Sequence, residues 1–195
     1  MRTAALFLVG AFVALASSLP APSPAAESPQ RTVLDLGDSL SVGTAPYLAR
    51  RLRGYRVERR HDVGLHAYDA AALLARERRS LPDVIVVSAG TNDDPRIVST
   101  FARAVSAVVR AAGPRRCVVW PTIVRPPAAG ATYEGFNRAL ARADARHRNL
   151  VLVRWDEIVE RHPGWLAPDG VHVGVAGYRA RATAIASAVA TRCAS

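Results

Sequence analysis

Short strand-like runs alternate along this chain with longer stretches in which apolar residues return every three or four positions. The segments 33–36, 56–59, 84–88, 118–120 and 150–153 read as strands. The segments 42–53, 68–79, 96–112, 133–146 and 176–192 read as helices. "VIVV", from Val84, is apolar without interruption, as expected of a strand covered on both faces. "STFARAVSAVVRAA" places Phe101, Val105, Val108 and Val109 at helical spacing, and Gly113-Pro114 stops that helix. Strands alternating with helices predict an α/β fold, a three-layer α/β/α arrangement around a five-stranded parallel sheet. Right-handed crossovers leave few topologies, and the expected strand order is the flavodoxin-like 2-1-3-4-5. No internal repeat and no second domain is visible.

The first thirty residues do not follow this alternation. Arg2 precedes an apolar core at 4–16, too short to span a bilayer comfortably, and "SSLPAPSPAAESPQ" follows. This reads as a secretory signal peptide ending near residue 26, a spacer at 27–31 and a single domain at 32–195. The expected location is extracytoplasmic, as a secreted monomer with no membrane span once the leader is removed.

Export changes the reading of the two cysteines. An even count outside the cytoplasm points to a disulfide. Cys117 opens a strand and Cys193 ends the last helix, and in a parallel α/β sheet a final helix ends near where strands begin. A Cys117–Cys193 bridge is therefore expected, worth roughly 4 kcal/mol by loop-closure entropy.

The formal net charge is +10, from 26 basic and 16 acidic residues, and every one of the basic residues is arginine. The arginines are scattered over many helices, with no aromatic-interleaved basic stripe, so a nucleic-acid partner is not expected. Outside a cell the same charge suits anionic wall polymers or acidic substrates.

In open α/β sheets, ligands bind beyond the carboxyl ends of the strands. The residues just past the predicted strands are Gly37-Asp38-Ser39-Leu40, Asp62-Val63-Gly64-Leu65, Ala89-Gly90-Thr91-Asn92-Asp93 and, after a loop with Trp165, Asp169-Gly170-Val171-His172. A serine hydroxyl is a weak nucleophile that needs a base, a neutral histidine supplies one, and a carboxylate fixes the histidine's tautomer. Ser39, His172 and Asp169 fit those roles, the last two three residues apart in one turn. The N–H groups of Ser39 and Gly64 and the side-chain amide of Asn92 are candidate donors to an oxyanion. On its own turn, Ser39 reads equally as a helix cap. Asp38 reads as structural, and Asp93 and Asp94 as caps of a helix starting near Pro95.

"GDSL", the following Gly64, "GTND" and "DGVH" in this order resemble the SGNH, or GDSL-type, hydrolases, whose name denotes Ser, Gly, Asn and His in four blocks. These match Ser39, Gly64, Asn92 and His172, and the resemblance spans about residues 32–192. It implies the same triad and oxyanion hole, ester hydrolysis or acyl transfer, and no metal or cofactor. The second half of the chain is similar to the extracytoplasmic SGNH domains of bacterial cell-wall O-acetyltransferases and related exported esterases. Two features depart or differ. Leu65-His66-Ala67 stands where the family often has a further Gly or Ser, and Ser41 stands where a G-x-S-x-G elbow would end.

Around this core, His66, Arg125 and Trp165 are candidate substrate contacts. His66 and Arg125 read more readily as loop residues, and Trp165 equally as core or lid packing. Asp156 is a substitute acid without the local geometry of Asp169. His61, His147 and His162 show no metal-ligand spacing. The expected function is an exported serine esterase for short-acyl, acetyl-like esters, on a small molecule or a carbohydrate. The rivals are an O-acyltransferase to wall sugar hydroxyls and a non-catalytic basic domain that binds wall or other polyanions.

Overall fold

The computed structural model describes residues 30–193; the expected signal peptide and most of the spacer lie outside the described residues. Five parallel strands form one sheet in the order β2-β1-β3-β4-β5: β1 (Arg31–Gly37), β2 (Tyr55–His61), β3 (Val84–Ser88), β4 (Cys117–Pro121) and β5 (Leu150–Val153). Six helices surround it: α1 (Ser39–Arg51), α2 (Ala67–Glu77), α3 (Val98–Ala112), α4 (Glu134–Arg146), α5 (Trp155–Glu160) and α6 (Val175–Arg192). The expected topology is the observed one. Among the described residues no helix is long and apolar enough to cross a membrane.

Side-chain alternation along the strands divides the core in two. Leu34 and Leu36 of β1 point to the face covered by α2, α3 and α4, where Leu74, Val105 and Leu140 are buried. There Phe101 stacks on Phe136 with ring centroids 4.1 Å apart and meets Trp120 edge-on at 6.1 Å. Val33 points the other way, into a cluster with Leu48 of α1, Val86, Val119 and Ile185 and Val189 of α6. β3 sits mid-sheet and is buried along its whole length. β2 is an edge strand, and its exposed Arg56, Arg59 and Arg60 leave that edge charged and unattractive to further pairing.

Two elements were not legible in the pattern: α5, a six-residue helix, and a 3₁₀ turn at Pro163–Trp165. They form a third cluster in which Trp155 is fully buried with Val159 and Val173. The helix expected at 96–112 starts later, at Val98, with Ile97 in the cap position. Asp93 and Asp94 therefore do not cap it. Asp94 instead accepts from the Arg96 backbone N–H at 3.0 Å, and Asp93 turns inward to another helix.

The Cys117–Cys193 disulfide joins the start of β4 to the end of α6, with Cα atoms 5.5 Å apart. It closes a loop of 76 residues. Replacing both cysteines by Ser is expected to lower stability by about 4 kcal/mol in urea unfolding, with the active edge unaffected; a loss under about 1 kcal/mol would contradict the loop-closure account.

Candidate active site

The β1–α1 junction is tight. A Cβ on Gly37 would meet the Ser41 Oγ at 2.1 Å and the Ser88 Cβ at 2.9 Å, so glycine is required for space. Asp38 follows as the N-cap of α1: its Oδ1 accepts from the Leu40 N–H at 3.0 Å and its carbonyl from Ser41 and Val42. Its own N–H donates to the Ser88 carbonyl at 3.0 Å, tying the turn to β3. The capping role thus belongs to Asp38. Ser39 occupies the first helical position, where its N–H has no intrahelical acceptor and points outward with the positive end of the helix.

The last loop brings the other two groups. Asp169 Oδ1 accepts from the N–H groups of Val171 at 2.9 Å and His172 at 3.0 Å, folding the turn around itself. Gly170 takes φ +65° within it, and a Cβ there would also meet the Pro126 Cγ at 2.6 Å. The second oxygen of Asp169 lies 2.7 Å from His172 Nδ1, and His172 Nε2 lies 2.9 Å from the Ser39 Oγ. The bond to His172 and the two backbone N–H groups draw the Asp169 carboxyl down to about 2, so it is ionised throughout the working range of an enzyme. The side chains of His172 and Asp169 are 40% and 50% exposed, so a bulky substrate has open access to them.

The other predicted oxyanion donors, Gly64 and Asn92, sit on the loops after β2 and β3. Gly64 has φ +96° and open space around its Cα, so backbone conformation rather than crowding selects glycine there. Its N–H makes no hydrogen bond among the described residues. Asn92 Nδ2 donates one hydrogen to the Leu65 carbonyl at 3.3 Å, which ties the two loops together and leaves its second N–H free. Asp93, next in sequence, is buried and accepts from the Ala67 N–H at 3.0 Å, supplying the cap that His66 does not give to α2. Burial pushes its carboxyl above the usual range.

The outer candidates are placed less simply. The His66 ring stacks on Tyr68 at 5.2 Å, with Nδ1 3.7 Å from Asp93. The Arg125 guanidinium donates to the Thr91 carbonyl, one residue before Asn92, and lies 5.8 Å over the Tyr133 ring. Trp165 stacks on His162 at 4.1 Å and faces Trp155 at 6.5 Å, so packing of the third cluster occupies it. Asp156 is held by the Thr122 hydroxyl at 2.7 Å, on the β4–β5 side, and does not bond His172.

A family model for the GDSL-like lipases/acylhydrolases matches residues 36–180. The chain belongs to this family. It is an SGNH-type serine ester hydrolase by that membership, and solved structures share the fold. The C-terminal catalytic domain of Streptococcus pneumoniae peptidoglycan O-acetyltransferase A superposes with TM-score 0.69 at 21% identity, covering 84% of this chain and 94% of that one. An acetyl esterase mutant with acetate gives 0.64 at 20%, covering 84% and 98%. A family 3 carbohydrate esterase of Clostridium thermocellum gives 0.62 at 16%, covering 79% and 92%. No curated protein sequence matches the chain.

One participant was invisible in sequence. Arg181 of α6 is 2% exposed and lies behind the nucleophile turn. Its Nη2 donates to the Ser88 hydroxyl at 2.6 Å, and that hydroxyl in turn lies 3.5 Å from Asp38 Oδ1. Its guanidinium sits 5.6 Å over the Trp155 ring, and its Nε and Nη1 have no hydrogen-bond partner. Burial raises the Asp38 carboxyl, and the charges of Arg181 and, more weakly, His172 pull it back down. Asp35, equally buried, faces the same guanidinium and bonds His61 at 2.9 Å; the Tyr178 ring completes the surround.

The sign of this coupling is testable. Without Arg181 the folded-state Asp38 pKa rises further, and a carboxyl with a raised folded pKa supports the fold while protonated and opposes it once pH climbs through that value. Arg181→Met should therefore cost more stability at pH 7 than at pH 4, by urea unfolding, with a loss of about 3 kcal/mol at the higher pH. An equal loss at both values would contradict the pairing.

Proposed function

We propose that this protein is an exported serine esterase for short-acyl esters, acetyl above all, borne on a carbohydrate. The observation that carries the reading is the continuous Asp169–His172–Ser39 hydrogen-bonded series at 2.7 and 2.9 Å. Ser39 attacks the ester carbonyl while His172 Nε2 takes its proton. Asp169 holds the opposite ring nitrogen and offsets the imidazolium charge. The N–H groups of Ser39 and Gly64 and the free Asn92 N–H receive the oxyanion. His172 returns the proton to the leaving alcohol, and a water repeats the cycle on the acyl-enzyme. Export is supported by the leader-like residues 1–26 and by the disulfide.

The preference for short acyl groups and bulky alcohols is supported by the half-exposed His172 and Asp169. His66, beside Leu65, and Arg125, bonded to the Thr91 carbonyl, are the side chains assigned to the alcohol portion. Trp165 is assigned to packing. The likeness to the catalytic domain of a peptidoglycan O-acetyltransferase favours one second reading, transfer of the same acyl group from Ser39 to a wall sugar hydroxyl.

Wild-type protein is expected to hydrolyse p-nitrophenyl acetate faster than the octanoate ester, and Ser39→Ala to hydrolyse neither. Retention of turnover by Ser39→Ala would remove the serine mechanism. Asn92→Ala is expected to lower kcat by on the order of 10²–10³, and a loss under about threefold would remove Asn92 from the oxyanion hole. Addition of wall oligosaccharide separates the readings: acylated sugar in the mass spectrum indicates transfer, free acetate alone indicates hydrolysis.

A further inference from the structure

The pole of the sheet opposite Ser39, where strands begin and helices end, concentrates the charge that looked scattered in sequence. Two adjoining depressions there share Pro114, Arg115 and Arg116. One, of about 510 Å³, is lined by Arg78, Arg79, Arg110, Arg115 and Arg116 and by no carboxylate. The other, of about 500 Å³, adds Arg31, Arg148 and Arg192 beside a single carboxylate, Asp83. Among the described residues, the arginines in ion pairs are Arg56, Arg96, Arg138 and Arg154. None of the arginines lining the depressions is among them. Arg116 is held by the Leu81 and Ala112 carbonyls and Arg31 by that of Cys193; Arg78, Arg79, Arg110, Arg115, Arg148 and Arg192 are exposed.

Helix dipoles explain only part of this. Arg110 and Arg192 lie in last helical turns, where a cation meets the negative helix end. Arg116 likewise donates to the Ala112 carbonyl at the end of α3, but Arg115 and Arg148 lie in the loops that enter β4 and β5, where no such reason applies. Unpaired like charges gathered in a concavity repel one another, and an anion seated among them relieves that repulsion.

We propose that this pole is a docking face for a linear, phosphodiester-linked polyanion. Guanidinium groups grip phosphate oxygens in a two-pronged geometry. Together the two adjoining depressions, of about 510 and about 500 Å³, offer a cationic concavity with room for several phosphate units of a flexible chain. No aromatic side chain lines either one, so nucleobases find nothing to stack on. Docking at this pole leaves the edge with Ser39, Asn92 and His172 facing outward, and tethering would raise the effective concentration of esters on neighbouring chains. The proposal deepens the reading of action at a cell wall, but the binding itself requires no turnover.

The test is titration of the purified protein, wild type and Ser39→Ala, with poly(glycerol phosphate) at two salt concentrations. Binding is expected in both proteins and to weaken steeply with salt. The triple variant Arg115→Gln/Arg148→Gln/Arg192→Gln should bind at least tenfold more weakly, with a log K against log salt slope shallower by about 2, at about 0.7 per lost contact. Hydrolysis of p-nitrophenyl acetate should stay at the wild-type rate. Arg60→Gln/Arg103→Gln/Arg142→Gln, which removes the same charge elsewhere, should bind like wild type. Equal weakening by both triples would reduce the effect to net charge and overturn the proposal. Absence of salt-sensitive binding, or tighter binding of duplex DNA than of the phosphate polymer, would also overturn it. Binding without ester hydrolysis would instead count against the esterase reading alone.

Discussion

The catalytic edge depends on a buried carboxylate. Asp38 sits with no exposed surface at the end of β1, and every group around it fixes the turn that presents Ser39. Its oxygen replaces a missing acceptor for the first helical N–H groups, its own N–H binds β3, and Arg181 stands behind it across the Ser88 hydroxyl. A desolvated carboxylate without these partners would be costly, so the partners and the turn come as one unit. Ser39 is placed by this packing, and its own side chain is left free for His172.

The remaining loops are laced to the same edge. The Asp62 N–H donates to the Gly37 carbonyl, which ties the second loop to the nucleophile turn. Asn92 reaches across to Leu65, Asp93 caps α2, and Tyr133 donates to the Asp93 carbonyl. The Trp120 indole N–H donates to the Ala89 carbonyl just before the Asn92 loop. The candidate oxyanion donors therefore belong to loops anchored by buried side chains, which is how a site on loops keeps the fixed geometry that electrostatic stabilisation requires. The Asp169–His172 turn is the exception. It is locally self-sufficient, organised by one carboxylate that binds two backbone N–H groups and the imidazole at once.

The molecule is electrostatically two-sided. At the carboxyl edge Asp38 engages Leu40, Asp93 engages Ala67 and Asp169 engages His172. At the opposite pole arginines gather without carboxylate partners around the Cys117–Cys193 bridge. The arrangement follows from topology, since loops leading into strands and helix ends share that pole while the loops leaving strands share the other.

Much of this is legible in the chain itself. Strand order, the two covered faces of β3, and the positions of Ser39, Gly64, Asn92, Asp169 and His172 follow from hydrophobic period and from turn residues just past each strand, because both are local signals. The sequence also placed the disulfide, since parallel topology brings a last helix end to a strand start. It misassigned Asp93, whose carboxylate is spent on α2, a helix that precedes it in the chain. It gives no sign of α5, whose six residues are too few to show a period, and it leaves Trp165 open between a substrate contact and packing; the stacking on His162 and Trp155 supports the packing. Arg181 reads in sequence as one more arginine on a helix. Only the tertiary structure puts it behind Asp38, and only there does the scattered charge become a face, because burial and the pairing of charges are properties of neighbours distant in the chain.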